Sequence, residues 1–408
     1  MRPTFRENLA GLRPIRGLLA AVAIARSSVM LFPFYAAYLA VTRDDLSSGA
    51  IGVVVGAFGL GALAADMVSG RLSARFAERS LGVAGLGGVA AAVLLVSVVE
   101  GHWSLIAATA AWGFCYELVN PVAYSLVAQA MPDEKRRFAF AAVRLAINLG
   151  MGLGPVIAGV LFQLDPGLLV WGTALGYLAA AWVLARARVP VAADAEAESV
   201  DGPDPAEGGH ERRFWAFFTA TLPIHLAYAL PPTVISAYVI HQLDHPVGWV
   251  SAVFALNAAM VITCEIALNH AMDGWSRRGT IAAGYACAVV GFALMGLGGQ
   301  SGWWLLAATA VWTLGEMIIF PVLLDHISVI TPRRLKTRNM GYYSAGVNVG
   351  VIVAPMAFLP MAGVLPPVPA WGVVAAVLGV GMISVLVLSA SHRLWGRDER
   401  RVAEPVAT

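Results

Sequence analysis

The chain alternates between long apolar runs and short polar clusters from beginning to end. A bilayer core about 30 Å thick needs about 20 helical residues to cross it, so each run is long enough for a transmembrane helix. Dividing the chain at clusters of charge, proline or polar residues predicts twelve spans, at 15–41, 49–69, 80–99, 103–130, 138–162, 168–186, 214–240, 248–270, 280–299, 302–330, 338–362 and 369–391. The pattern therefore predicts an all-α integral membrane protein.

Composition agrees with the pattern. Hydrophobic residues make up 59% of the 408 positions and charged residues only 13%, whereas soluble domains carry about 25% charged residues. The arginine-rich opening runs into a span too long for a signal-peptide core, so we expect the first span to be retained. Cys115, Cys264 and Cys287 fall on different spans, which favours packing over a disulfide framework.

Basic residues fall in alternate loops. All but three of the 27 Lys and Arg residues lie on one side of the predicted spans, the exceptions being Arg26, Arg43 and Arg144. Because Lys and Arg near span ends stay in the cytoplasm, both termini are expected to be cytoplasmic. We therefore expect a multi-pass protein of the plasma (inner) membrane.

The middle of the chain differs in composition. Residues 190–211, PVAADAEAESVDGPDPAEGGHE, are acidic and rich in Pro, Gly and Ala. Such a segment has too little apolar surface to fold and is typical of a disordered linker. It divides the chain into a six-helix bundle at 1–189, an acidic cytoplasmic linker at 190–211 and a second six-helix bundle at 212–408.

The two halves repeat one another. WSLIAATAAW at 103–112 matches WWLLAATAVW at 303–312, an offset of 200 that also pairs Asn148 with Asn348 and Pro155 with Pro355. A register held through two helices and a loop indicates an internal repeat rather than chance likeness of apolar runs.

Two parallel six-helix repeats joined by a cytoplasmic linker resemble the major facilitator superfamily. The loop GRLSARFAER at 70–79 resembles the family's Gly-x-Leu-x-Asp-Arg-x-Gly-Arg-Arg loop, with Ala74 and Ala77 in place of its aspartate and glycine. The second-half loop NHAMDGWSRR restores the aspartate as Asp273. The resemblance implies twelve transmembrane helices in two pseudo-symmetric six-helix bundles, and a loop that latches the halves on the cytoplasmic side.

A glycine-proline motif interrupts the fifth span. Glycine costs about 1 kcal/mol and proline about 3 kcal/mol in a helix interior relative to alanine. Gly150, Gly154, Pro155 and Gly159 resemble the span 5 signature of the 12-helix, proton-coupled drug and small-molecule exporters of the family. Glycines at i and i+4 let another backbone approach closely. We interpret the motif as a contact surface for the moving halves; the alternative is close packing within one bundle.

Three ionisable residues lie deep in the spans. At 1.5 Å per residue, Arg26 lies about 15 Å and Glu117 and Glu316 about 20 Å from the cytoplasmic ends. They belong to spans 1, 4 and 10, which line the central cavity in the family. Because a buried charge indicates function by default, we assign them to substrate binding and proton coupling. A static Arg26–Glu117 pair is the alternative, and span 4 lacks the arginine that many proton-coupled exporters carry.

A second set of charges lies closer to the cytoplasm, with Asp66, Arg144 and Glu265 about 5–10 Å from their span ends. In the family, helix 5 faces helix 8 and helix 2 faces helix 11. The resemblance thus implies a cytoplasmic gate, whose predicted members are Asp66, Arg75, Arg144, Glu265, Asp273 and Arg338. Pairing within one half is the alternative.

Polar residues complete the candidate set. His225, in a proline-rich span 7, is a possible proton or ligand group, although a lone histidine is more often packed. Asn148 recurs in the repeat as Asn348 and is a candidate for substrate contact or interhelical hydrogen bonding. His241 and His245 match no metal-ligand spacing, so we expect a solvated outer loop and no metal.

These features predict a monomeric secondary transporter that works by alternating access and exports an amphipathic small organic molecule in exchange for protons. Its expected partners are a small-molecule substrate and the lipid bilayer, with no nucleic acid and no cofactor beyond a proton gradient. An enzyme is disfavoured because no phosphate loop, metal cluster or nucleophile elbow is visible. The alternatives are an importer of an organic anion or siderophore-like metabolite, and a non-transporting membrane receptor.

Overall fold

A computed structural model describes residues 12–131, 133–187, 207–272, 275–331 and 336–390. These residues form fourteen α-helices and no strand. The helices are α1 (Arg16–Ser27), α2 (Leu31–Thr42), α3 (Ser48–Arg75), α4 (Glu78–Val98), α5 (His102–Ala130), α6 (Asp133–Leu164), α7 (Gly167–Arg186), α8 (Glu207–Tyr228), α9 (Leu230–Ala237), α10 (Gly248–Ala271), α11 (Arg277–Met295), α12 (Gly302–Ile330), α13 (Lys336–Val364) and α14 (Pro367–Ala390).

The predicted spans correspond to these helices. Eleven helical stretches of the described residues are long and apolar enough to cross a membrane, and α5 occupies the predicted span 4 with 29 residues. Several helices extend past the apolar run that predicted them, as α3 does to Arg75. Helices continue beyond the bilayer core because their backbone hydrogen bonds remain internal there.

Two predicted spans are interrupted. Span 1 consists of α1 and α2, and span 7 of α8, α9 and a π-helical turn at Tyr238–Gln242. The break in span 7 precedes Pro231, which stands in the first turn of α9. Proline tolerates a first turn but not a helix interior, because it lacks an N–H and clashes with the preceding turn. Each of these two predicted spans therefore consists of more than one helical segment.

The linker prediction needs one correction, since α8 begins at Glu207 and five residues assigned to the linker are helical.

The repeat is visible in the helix bounds. Helices α5 and α12 begin at 102 and 302, and α7 and α14 begin at 167 and 367. The offset of 200 thus marks equivalent helices.

The helices group into two compact units. The first unit contains α1 to α7 with α9, most of α10 and the C-terminal end of α13. The second contains α8, α11, α12 and α14 with the remaining parts of α10 and α13. Because segments from the second half of the sequence belong to the first unit, these units do not follow the linker, and the division at 190–211 stays a prediction.

Close helix contact in the first unit depends on small residues. Gly61 of α3 lies against the backbone of Ala110 on α5, and Gly113 of α5 lies against the backbone of Phe58 on α3. A methyl group at either glycine would overlap the carbonyl group of the opposite helix. Small residues at such crossings let helices in a membrane approach closely and gain dispersion energy.

Candidate functional site

Arg26 lies in the last turn of α1, inside the first unit, and its side chain is only 8% exposed. Its Nη1 donates a hydrogen bond to the hydroxyl of Tyr116 on α5. The guanidinium carbon also lies 5.0 Å from the centre of the Tyr116 ring. The buried cation is therefore held by a hydroxyl and by the face of an aromatic ring, which attracts cations.

Glu117 follows Tyr116 on α5 and is half-buried. Its carboxylate and the hydroxyl of Tyr177 lie within electrostatic range of the Arg26 guanidinium. A buried charge without compensation costs several kcal/mol, so the nearby carboxylate helps to hold the cation in the protein interior. The hydrogen bond to Tyr116 uses the Nη1 group of Arg26, and a guanidinium has five N–H donors in all. This arrangement can therefore bind a further polar group beside Tyr116.

The interruption between α1 and α2 follows directly after Arg26 and Ser27. Ser28 Oγ donates to the carbonyl of Ile24 at 2.7 Å, and the Leu31 N–H donates to Thr173 Oγ1 on α7 at 3.1 Å. A new helix begins with unpaired N–H groups that must find partners in an apolar surrounding. The hydroxyl of Thr173 supplies one such partner and so supports the break.

The glycines of the fifth-span motif face this break. A Cβ at Gly150 would lie 2.8 Å from both the carbonyl carbon of Arg26 and the backbone nitrogen of Ser27. A Cβ at Gly154 would lie 3.0 Å from the carbonyl oxygen of Val29. These two glycines let α6 receive the α1 backbone where it carries Arg26. Their contact lies within the first half of the sequence.

The rest of the motif faces α10, which comes from the second half of the sequence but belongs to the first unit. Ser251 Oγ donates to the carbonyl of Pro155 at 3.3 Å. A Cβ at Gly159 would lie 3.1 Å from the Cβ of Ser251, and one at Gly152 would lie 2.6 Å from the Cβ of Ala258. The motif therefore has two faces, one toward α1 and one toward α10.

Glu316 lies on α12 in the second unit and is half-buried. The hydroxyl of Tyr228, at the end of α8, lies within its electrostatic range and donates to the carbonyl of Trp312 at 2.5 Å. Gly315 makes room for that hydroxyl, since a Cβ there would lie 2.9 Å from it. A carboxylate on α12 thus stands beside a polar group at a helix break.

His225 is 2% exposed and packs between two aromatic rings. Its ring centre lies 4.8 Å from that of Tyr343 and 5.9 Å from that of Phe320. Among the described residues, neither its ring nitrogens nor the buried hydroxyl of Tyr343 has a hydrogen-bond partner. Tyr343 could not be identified from the sequence, because one tyrosine in an apolar span carries no distinguishing pattern.

The remaining candidates are dispersed. Asn148 on α6 is half-buried, and its repeat mate Asn348 is 7% exposed. Among the gate residues, Asp66 and Glu265 are half-buried and Arg75 is exposed. The side chains of Arg144, Asp273 and Arg338 lie outside the described residues. The cytoplasmic gate therefore stays a prediction.

One ion pair in the second unit was not predicted. Arg277, at the start of α11, donates through Nε to Asp325 Oδ2 on α12 at 3.0 Å. Arg277 belongs to the latch-like loop NHAMDGWSRR, and no sequence pattern pairs it with a residue 48 positions away. The side chains are 34% and 55% exposed, so the pair contributes less than about 1 kcal/mol.

The profile of the Major Facilitator Superfamily matches residues 17–355. The chain belongs to the major facilitator superfamily. An uncharacterized MFS-type transporter of Mycobacterium tuberculosis is 26% identical over 349 residues, covering 80% of each chain. A Na(+), Li(+), K(+)/H(+) antiporter of Planococcus maritimus is 27% identical over 139 residues, or 33% of this chain and 32% of that protein. A crystal structure of the peptide transporter POT has the same fold, with a TM-score of 0.75 and 17% identity over 97% of each chain.

This major facilitator protein is a membrane-embedded transporter and not an enzyme. The expected all-α fold of the superfamily is confirmed by the helices and by the fold neighbours.

Proposed function

We propose that the transporter exports an amphipathic small organic molecule in exchange for protons by alternating access. In this proposal Arg26 and Tyr116 bind the substrate, and Glu117 and Glu316 carry protons. The observation that carries the proposal is the buried contact between Arg26 and Tyr116, next to Glu117. Ionisable groups at this depth are rare in membrane proteins unless they take part in transport.

The break in span 1 supports substrate binding at Arg26. Transporters form binding sites where transmembrane helices are interrupted, because freed backbone groups and adjacent side chains then point toward the ligand. Arg26 stands immediately before such a break, and the aromatic rings of Tyr116, Phe58 and Trp112 lie together on the neighbouring helices. Aromatic surface beside a cation suits a ligand with an apolar body and a polar group.

Proton exchange follows from competition at Glu117. When Glu117 is ionised, its carboxylate accepts hydrogen bonds from a polar group of the substrate held beside Arg26; when it is protonated, this interaction is weakened and the substrate is released. Substrate and proton thus alter each other's binding at one site, which is the linkage that coupled transport requires. The partial similarity to a cation/proton antiporter is consistent with this role.

The remaining elements of the proposal come from the sequence. The transporter is a monomer in the plasma (inner) membrane with both termini in the cytoplasm, and a proton gradient drives it without a cofactor. His225 and Asn148 belong to the substrate and coupling set. Asp66, Arg75, Arg144, Glu265, Asp273 and Arg338 form the cytoplasmic gate, which closes when the transporter faces outward.

The proposal is tested with purified transporter in liposomes that contain a pH-sensitive dye. Lipophilic cations, anions and natural-product-like amphiphiles are added one at a time under an imposed pH gradient. Wild type is compared with Glu117→Gln, Glu316→Gln and the matched control Glu100→Gln, an exposed residue in the loop between α4 and α5. We expect one class of amphiphile to move protons in wild type and in the control, and at least one of the two buried variants to lose that movement.

Other outcomes contradict the proposal in distinct ways. Proton movement that persists in both buried variants excludes Glu117 and Glu316 as proton carriers. Solute flux without proton movement excludes proton coupling. Accumulation of an organic anion in the proton-driven, inward direction identifies an importer, the second candidate, in which Arg26 binds a carboxylate of the substrate. Ligand binding without flux identifies a receptor.

A further inference from the structure

Three arginines from three helices lie at the same end of the first unit. Arg79, near the start of α4, donates through Nε to the carbonyl of Leu184 at 3.2 Å and through Nη2 to the carbonyl of Ala185. Arg186 is the next residue of α7. Arg16 begins α1, and its neighbour Gly17 lies so close to α7 that an added Cβ would be 2.7 Å from the Cβ of Ala187. Arg16 and Arg186 are exposed.

The acidic neighbour of this cluster is turned away from it. Glu78 precedes Arg79 on α4, but its Oε1 accepts a hydrogen bond from Ser125 on α5 at 3.0 Å. The carbonyl groups of α7 occupy two of the Arg79 nitrogens, which stabilises the helix end. The guanidinium groups of Arg16 and Arg186 are left facing the surroundings. The surface is therefore positively charged at the point where α1 and α4 begin and α7 ends.

Trp182 indicates the depth at which Arg186 lies in the membrane. It lies one turn before Arg186 on α7, it is 59% exposed, and the Arg186 guanidinium carbon lies 5.0 Å from its ring centre. Exposed tryptophans at the end of a transmembrane helix lie at the level of the lipid headgroups. Arg186 therefore stands at the depth of the lipid phosphates rather than in bulk water.

We propose that Arg16, Arg79 and Arg186 bind the phosphate of one anionic phospholipid, with Trp182 against its glycerol and upper acyl region. Guanidinium groups bind phosphate oxygens in forked geometry with charge-assisted hydrogen bonds. The lipid bridges the start of α1 to the end of α7. Since α1 carries Arg26 at its other end, the bound lipid holds the helix that presents the candidate site.

The test measures lipid binding and does not depend on transport. The full chain is purified in detergent, and retention of phosphatidylglycerol is followed by native mass spectrometry against phosphatidylcholine and against inorganic phosphate. Wild type is compared with the Arg16→Gln/Arg186→Gln double variant and with Arg278→Gln, which removes an exposed arginine at the start of α11. Arg79 is left intact because it also caps α7.

We expect wild type and Arg278→Gln to retain one phosphatidylglycerol. Each arginine near an anionic membrane contributes about 1 kcal/mol, so losing two weakens binding about 30-fold. A second double variant, Arg16→Lys/Arg186→Lys, keeps both charges and should retain most of the binding. It also reports on the proposal if the glutamine variant does not fold.

Four results overturn the proposal. They are equal retention of phosphatidylcholine, full displacement of the lipid by inorganic phosphate, unchanged phosphatidylglycerol binding by the folded glutamine variant, and loss of binding in Arg278→Gln.

A deletion of residues 190–205 tests the acidic linker as the rival occupant. If phosphatidylglycerol binds only after that deletion, the linker and not the lipid occupies the arginines.

Discussion

Replacing Gly150 by alanine adds one methyl group where α6 meets the backbone beside Arg26. The new Cβ would lie 2.8 Å from the carbonyl carbon of Arg26 and from the nitrogen of Ser27, closer than Cβ atoms pack. Backbone atoms of a helix cannot move as freely as a flexible side chain, so either α1 or α6 must shift. Overpacking of this kind costs about 1–3 kcal/mol, while alanine gains about 1 kcal/mol over glycine in a helix interior.

Gly87 on α4 is the matched control because a Cβ there would meet no atom within 4 Å. The gain in helix propensity is the same for both substitutions, so the difference between Gly150→Ala and Gly87→Ala isolates the overpacking cost of about 1–3 kcal/mol. Both variants are unfolded thermally in the same detergent, with intrinsic tryptophan fluorescence as the signal. Gly150→Ala should melt below Gly87→Ala, and Gly87→Ala should melt at or above wild type.

The same substitution should also impair function, because a displaced α1 carries Arg26 with it. We expect Gly150→Ala to weaken substrate binding even at a temperature where the variant is fully folded, whereas Gly87→Ala should bind as wild type does. Equal melting temperatures for the two variants would show that α6 and α1 are not packed at Gly150 as described. Normal binding in a destabilised variant would show that Arg26 is not the group that this contact positions.

Three further substitutions test other contacts. Thr173→Val removes the hydroxyl that accepts the first N–H of α2 and should destabilise the protein by about 1–3 kcal/mol, measured as a lower melting temperature; an unchanged value would show that another acceptor replaces it. Tyr116→Phe removes the acceptor of the Arg26 hydrogen bond but keeps the ring, so a substrate bound at Arg26 should lose affinity or proton coupling. The buried guanidinium also loses a partner, so stability should fall by about 1–3 kcal/mol, and flux is therefore compared at a temperature where a melting assay shows the variant folded. Asp325→Asn breaks the half-exposed ion pair to Arg277 and should cost less than about 1 kcal/mol, with a difference from wild type that shrinks in high salt; a larger, salt-independent loss would contradict the exposed geometry.

Apolar runs were sufficient to predict the helices, whereas their interruptions depend on prolines and on contacts between distant residues. Apolar runs gave α7 to within one residue, 168–186 against Gly167–Arg186, because length and hydropathy alone determine a span. The break in span 7 has a local cause in Pro231. The break between α1 and α2 likewise has a local cause in Pro33, in the first turn of α2, because proline lacks an N–H and clashes with the preceding turn. The hydrogen bond from Leu31 to Thr173, 142 positions away, also supports the break, and pattern reasoning has no access to such a contact.

Only part of the candidate site was predicted, because the sequence does not show which distant residues come into contact. Arg26, Glu117 and Glu316 were identified from their position in the spans, because placing an ionisable group inside the membrane has a high free-energy cost. Nothing local in the sequence pairs Tyr116 with an arginine 90 positions away. The glycine motif was recognised, but its face toward Arg26 was not, because the direction of a helix face depends on which neighbours surround it.

The most direct test of the central claim separates substrate exchange from proton coupling at Glu117. Liposomes loaded with unlabelled substrate are given labelled substrate outside, and exchange is measured without a pH gradient; uphill transport is then measured with a gradient. For Glu117→Gln we predict that exchange is retained and uphill transport is lost, while Glu100→Gln retains both. Uphill transport by Glu117→Gln at the wild-type rate would contradict the account, because the proton would then be carried elsewhere.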